Sequence, residues 1–314
     1  MQEGARRVLH VHHDTHYAYR EPVQQAYHLA FLRPCEGIRQ SVLARSFRIE
    51  PAPDVEHEVL DPFGNWRHFF ALHTPHRALR VSSRFRVHVA EGGAPPAAAR
   101  ALSWRSVREA LSYAAGRRYE PASEFGFASP YVPHDDTLRD YALEVFAGEA
   151  GLVTACERFN QRIFEEFRYA PSATGVDTPT LEAFRRREGV CQDFAHIMIA
   201  GLRSLGLSAR YVSGYLLTRP PAGQPRRRGV DASHAWVAVY CPGAEGNWLE
   251  FDPTNGIAAR QEHVRLAYGR DFGDVSPLRG VIQGGGEHRL KVAVTVEEAT
   301  GTEAQTDPDQ DSTR

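Results

Sequence analysis

No stretch of the chain approaches the roughly 18–20 consecutive apolar residues that a membrane-spanning helix requires, so no helical span is expected. The N-terminus, where Glu3, Arg6 and Arg7 precede a histidine-rich run, also lacks the apolar core of a secretion signal. A cytoplasmic protein is the expectation. Cysteine is scarce: Cys35, Cys156, Cys191 and Cys241 stand far apart and form no CxxC pair. That spacing argues against a zinc knuckle and a dense disulfide framework, and reduced thiols are expected. Neither sign of charge dominates, the formal net charge being −2, and no basic run is interleaved with aromatics. A nucleic-acid partner is therefore not expected. Lysine is almost missing, Lys291 being the only one, so positive charge is nearly all arginine, a bias that fits a GC-rich bacterial genome. There is no internal repeat, and no cofactor or resident metal is expected.

What is present suffices for a sizeable core. Of the 314 residues 42% are hydrophobic and 24% charged, and the length suggests about two domains. Residues 8–90 read as a run of strands. Leu9, Val11, His13, Thr15, Tyr17 and Tyr19 share one inward face at period two, with His10, His12, Asp14 and His16 on the other. Further strands are predicted over 27–32, 42–49, 66–72 and 79–89, punctuated by turns such as Asp61-Pro62-Phe63-Gly64-Asn65.

Residues 91–100, rich in Gly, Pro and Ala, mark a change of regime. Helices are predicted over 103–114, 137–146, 153–167 and 179–187, the last with Thr178 as cap and Pro179 in its first turn. A fifth begins at Cys191. Its apolar positions Phe194, Ile197, Met198, Gly201, Leu202 and Leu205 repeat at helical spacing, and Gly206 supplies the stop, which predicts a buried central helix. Strands follow over 209–217, 234–240 and 248–252, then a loop-rich stretch and a last strand over 288–296. Helices followed by antiparallel strands make an α+β fold. The expected organisation is an N-terminal β domain over 1–95, a second domain over 96–298 and a disordered acidic tail over 299–314.

The chemistry concentrates in the second domain. Cys191 opens the buried helix, where the positive end of the helix dipole and unpaired backbone N–H groups favour a thiolate and can face an oxyanion. Alternation puts His234 and Trp236 on one face of their strand, placing an imidazole where it can act as general base toward a thiol. Asp252, kept extended by Pro253, can fix the tautomer of that imidazole, with Glu250 on the same face as a competing carboxylate. A helix followed by neighbouring antiparallel strands is what a nucleophile, base and orienting acid in this chain order require.

Four blocks carry a family resemblance: Gly189-Val190-Cys191-Gln192-Asp193-Phe194-Ala195-His196, Arg210-Tyr211-Val212-Ser213-Gly214-Tyr215, Ser233-His234-Ala235-Trp236-Val237 and Phe251-Asp252-Pro253-Thr254-Asn255. They resemble the signature of bacterial transglutaminase-like proteins. The pattern of His13, Thr15, Tyr17 and Tyr19 and the turn at Asp61 to Asn65 resemble that family's N-terminal β region. Ala267-Tyr268-Gly269-Arg270-Asp271-Phe272 with Asp274-Val275-Ser276-Pro277 resembles its later loop, so the likeness spans residues 8–297. It implies a papain-like core with Cys191 as nucleophile, His234 as base and Asp252 as orienting acid. Tyr169 stands where the animal enzymes use a tryptophan as oxyanion donor, with Gln192 as a weaker rival.

The expected reaction passes through a thioester on Cys191, formed from an amide or peptide bond of a peptide or protein substrate. Water resolving it makes an amidase or cysteine peptidase, the favoured outcome; a primary amine makes a transglutaminase. A binding module on the same fold without catalysis is the alternative of another class. His10, His12, Asp14 and His16 could converge on a transition metal, though a solvated strand face is expected. Arg226-Arg227-Arg228, in a loop bordering the cleft, could steer an acidic substrate, a solvated hairpin being expected instead.

Overall fold

The alternation that begins at Leu9 runs on through one long strand, β1 (Arg6–Ala30), in the computed structural model, which describes residues 6–148, 151–218 and 233–299. Leu9, Val11, His13 and Thr15 are buried, while His10, His12 and Asp14 lie on the partly exposed face. Around β1 lie β2 (Gln40–Glu50), β3 (Val55–Leu60), β4 (Trp66–Leu72) and β5 (His76–Ala90), in the order β2-β5-β1-β4-β3.

The helical region follows: α1 (Ala97–Arg100), α2 (Trp104–Leu111), α3 (Asp136–Phe146) and α4 (Leu152–Glu166). A short strand β6 (Arg168–Tyr169) precedes α5 (Thr180–Arg186), and β7 (Glu188–Gly189) leads into α6 (Cys191–Ser204). Next come β8 (Ala209–Leu216), β9 (Ser233–Tyr240), β10 (Trp248–Asp252), β11 (Ile257–Ala258) and β12 (His263–Gly269). They form an antiparallel sheet ordered β11-β10-β9-β8-β12. The chain closes with α7 (Phe272–Val275), β13 (Leu278–Gly284) and β14 (His288–Glu298). The fold is α+β, a β-rich N-terminal region followed by helices packed on an antiparallel sheet. No helix of the described residues is long and apolar enough to cross a membrane.

Two features depart from the expectation. The stretch after Asp252, read as loop-rich, holds β12 and β13. The strands β13 and β14, read as part of the second domain, pair with β1 and complete the first sheet: Leu9 to Tyr19 lie opposite residues 288–298, and Val23 to Ala30 opposite residues 278–284. Residues 226–228 and all but the first residue of the tail over 299–314 lie outside the described residues.

One hydrophobic core lies between α6, its neighbouring helices and the second sheet, and includes Phe194, Ile197, Met198, Leu202, Ala235 and Val237. A second lies under the first sheet and takes in Tyr215 of β8, Leu217 just beyond it, and Val264 and Leu266 of β12, so the two sheets share apolar burial. Polar side chains fix their register. In the turn before β4, the Asp61 carboxylate accepts the N–H groups of Phe63 and Asn65 at 2.9 and 2.8 Å, and Gly64 takes φ +83°. That turn seats the buried Asn65 against β12, where it donates to the Tyr268 carbonyl and accepts the Tyr268 N–H, both at 2.7 Å. Gln40 does the same at Arg265, accepting its N–H and donating to its carbonyl, both at 2.8 Å.

Truncating Asn65 strips partners from two backbone groups of β12, so Asn65→Ala is expected to lower unfolding free energy by about 1–3 kcal/mol in urea denaturation. A change within about 0.5 kcal/mol would show that the clamp is not needed.

Candidate active site

The backbone before α6 is shaped to deliver Cys191. A Cβ on Gly189 would lie 2.5 Å from the Asp193 carboxylate oxygen, so only glycine lets that carboxylate fold back over the chain. There Asp193 accepts the Val190 N–H at 2.8 Å and the Thr174 hydroxyl at 2.7 Å. Val190, in the cap position, has no oxygen in its side chain, so the first-turn amides of α6 gain no side-chain cap. Cys191 sits at this electropositive end and is part-exposed, whereas Cys35, Cys156 and Cys241 are buried. Burial pushes the thiol of Cys35 up to about 12 and that of Cys241 up to about 11.

His234 starts β9, opposite Gly214 of β8. A side chain at Gly214 would strike the Trp236 ring and the Val264 carbonyl, and the room it leaves lets Trp236 stack within 6.0 Å of His234. The imidazole uses Nε2 toward Asp252 Oδ2 at 2.8 Å, and the Cys191 side chain is its other polar neighbour. Burial works to lower the His234 pKa, but the Asp252 carboxylate and then the Cys191 sulfur outweigh it, lifting it from 6.5 to about 10. The His234 proton is thus held beside the Asp252 carboxylate.

Asp252, fully buried at the end of β10, is among the most heavily hydrogen-bonded groups in the molecule. Its Oδ1 accepts the Thr254 and Asn255 N–H groups at 3.0 and 3.3 Å, and its Oδ2 accepts the Asn255 side-chain amide at 2.7 Å. Burial alone would raise its pKa; the hydrogen bonds from His234 and His263 reverse this and hold it well below the ordinary carboxylate range. Glu250, the competing carboxylate, is committed elsewhere: it pairs with Arg265 at 2.8 Å and accepts the Trp236 indole N–H at 2.9 Å.

His263 of β12 is the site residue that sequence reasoning did not single out. Its Nε2 lies 3.1 Å from Asp252 Oδ2, and its Nδ1 accepts the Arg260 N–H at 3.1 Å. An Nδ1 that accepts must be bare, which puts the ring proton on Nε2, pointing at the carboxylate. Among the described residues, His234, Asp252 and His263 also form a cluster whose ligand atoms lie within 4.8 Å of one another. In this arrangement both imidazoles turn their Nε2 toward Asp252 as hydrogen-bond partners. Of the N-terminal histidines, His12 is engaged with Asp14 at 2.8 Å and with Arg84 at 3.2 Å.

Of the two auxiliary candidates, Tyr169 lies beside the nucleophile. Parallel pairing of β6 with β7 sets it opposite Gly189, its ring meets Phe194 edge-on at 6.5 Å, and it is 50% exposed. Burial first, and the nearby Cys191 sulfur second, raise its pKa. Gln192 turns away, its side-chain amide donating to the Val176 carbonyl at 3.0 Å. His196, one turn along α6, accepts the Phe272 N–H at 3.2 Å and stacks on Tyr131, and burial holds it neutral.

A cysteine at a helix N-terminus, an imidazole on the facing strand and a carboxylate on the next define the site of a cysteine-dependent enzyme. Comparison with known proteins gives the family. Residues 9–88 match the bacterial transglutaminase-like N-terminal region and residues 139–253 the transglutaminase-like superfamily. An uncharacterized protein of Mycobacterium tuberculosis is 38% identical over 286 residues, covering 89% of each chain, and one of Mycobacterium leprae is 30% identical over 92% of this chain and 98% of its own length. A protein-glutamine gamma-glutamyltransferase of Pseudomonas aeruginosa is 35% identical over 128 residues, 40% of this chain and 19% of that one. Among solved structures, a candidate cysteine protease from Cytophaga hutchinsonii superposes with a TM-score of 0.73 at 20% identity, covering 94% of this chain and 92% of that one, a likeness of fold. The chain belongs to the transglutaminase-like superfamily.

The raised His234 pKa fixes a pH dependence. Stability contributed by its charged form is fully present below the ordinary value of 6.5 and is lost as pH rises through about 10. The stability difference between wild type and His234→Gln is therefore expected to be constant in mild acid and to shrink toward about pH 10; a difference flat across that range would contradict the pairing.

Proposed function

We propose that the protein cleaves amide or peptide bonds through a covalent thioester, with Cys191 as nucleophile, His234 as base and acid, and Asp252 as the group that orients the imidazole. One observation supports this reading: the His234 ring lies 2.8 Å from the Asp252 carboxylate through Nε2 and has the Cys191 sulfur as its other polar neighbour.

The steps follow from the charge arrangement. The thiolate of Cys191 attacks the amide carbonyl carbon, and the C–O electron pair moves onto oxygen. In this mechanism the uncapped amides at the start of α6 receive that oxyanion, with the Tyr169 hydroxyl as the second donor. His234 gives its proton to the departing amine as the C–N bond breaks, leaving a thioester and a neutral imidazole. Water then loses a proton to His234 and adds to the thioester; the acid leaves and the thiolate–imidazolium pair is restored. Asp252 remains ionised throughout and holds the ring in place.

Transfer to a primary amine is the second reading, and the gamma-glutamyltransferase named among the relatives favours it. The triad serves both outcomes, since an amine and water enter at the same step. In either case the acyl donor is a peptide or protein carbonyl.

Iodoacetamide is expected to label the part-exposed Cys191 ahead of the buried Cys35 and Cys156, and the labelling to slow in His234→Ala. Turnover of a peptide-amide library should fall at least about a thousandfold in Cys191→Ala. Product masses in the presence of an added primary amine separate hydrolysis from transfer. A Cys191 no more reactive than Cys35 would rule the mechanism out.

A further inference from the structure

Away from the triad, the 35–40 loop of the N-terminal region and the second sheet enclose a cavity of about 300 Å³ lined by Cys35, Gln40, Arg210, Trp248, Arg265 and Tyr268, among others. Its charged lining residues are three arginines and three glutamates, and all but Arg210, which feels the Glu250 charge without a direct ion pair to it, have a direct ion-pair or hydrogen-bond partner among the described residues. Arg265 is paired with Glu250 at 2.8 Å, and Arg39 with Glu245 at 2.7 Å. Glu36 accepts the Val42 N–H with both oxygens, at 3.2 and 3.3 Å. Arg210 is the exception. Its guanidinium carbon lies 3.8 Å from the Tyr268 ring centre and 4.1 Å from that of Trp248, between two aromatic faces. Among the described residues its Nε, sealed from solvent, has no hydrogen-bond partner.

A guanidinium stacked on both faces can hydrogen-bond only through its edge, and an edge without an acceptor is costly to bury. The aromatic walls hold the plane rigid, so an incoming planar acceptor meets a preformed fork. The volume is at the lower end of small-molecule sites, and the aromatic walls with Ile38 at the rim favour an apolar body behind the charge.

We infer that this cavity binds a compact carboxylate, held edge-on by Arg210 between Trp248 and Tyr268. A free organic acid and the C-terminus of a peptide offer the same chemistry. The site does not depend on the proposed catalysis, so it can be tested in protein lacking the nucleophile.

The experiment is isothermal titration of the full chain carrying Cys191→Ala with benzoate, acetate, glycylleucine and glycylleucinamide, with Trp248 as a fluorescent reporter. Saturable binding of benzoate or glycylleucine at about 1 mM or tighter is expected, with glycylleucinamide at least about tenfold weaker. Benzoate ahead of glycylleucine identifies a free acid, and the reverse order a peptide terminus. Arg210→Gln should abolish binding, and so should Ile38→Trp, which fills the mouth from a 68% exposed position without touching Arg210. Absence of saturable binding, binding of the amide equal to that of the acid, sulfate binding as tightly as benzoate, or binding that survives both substitutions would each overturn the inference.

Discussion

The site depends on keeping one carboxylate charged in a place where water cannot reach it. Asp252 is fully buried, and an isolated anion there would take up a proton. Five hydrogen bonds prevent this: two backbone amides of the turn after β10, the Asn255 amide, and one imidazole on each side. The charge so retained draws a proton onto His234, whose ring neighbours the Cys191 sulfur. Catalytic competence in this reading runs outward from Asp252 to the sulfur, through one ring.

The two imidazoles on Asp252 play different parts. His234 reaches the cleft and meets sulfur; His263 is buried and locked in one tautomer by the Arg260 amide. A proton donor that never leaves keeps the carboxylate oriented beside His234, the ring that the proposed mechanism makes the mobile proton carrier. The remaining scaffold supports this arrangement. Glu250 and Arg265 neutralise each other beside it, and Glu250 anchors the Trp236 indole against which both rings pack, at 6.0 and 5.2 Å. The N-terminal sheet contributes through Asn65 and Gln40, which hold the backbone of β12, the strand that bears His263.

Much of this was legible in the chain, for identifiable reasons. The helical repeat of Phe194, Ile197, Met198 and Leu202 marks α6 because that helix is buried along its length, and the period-two run from Leu9 marks β1 because one face meets a core. Cys191, His234 and Asp252 stood out because each sits at an element boundary, where a side chain can turn toward a cleft. What escaped was β12. Its alternation carries His263 and Arg265 where a strand pattern calls for apolar residues, and both are buried only because distant partners, Asp252 and Glu250, satisfy them. The return of β13 and β14 to β1 was equally invisible, since pairing across most of the chain length leaves no local periodicity to read.

The most direct measurement of the central claim is the ¹⁵N chemical shift of the His234 ring in selectively labelled protein at about pH 8, where a free imidazole is neutral. The account predicts both ring nitrogens protonated in wild type, with the charged state lost in Asp252→Asn. A neutral ring in wild type, titrating near the ordinary histidine value, would contradict it.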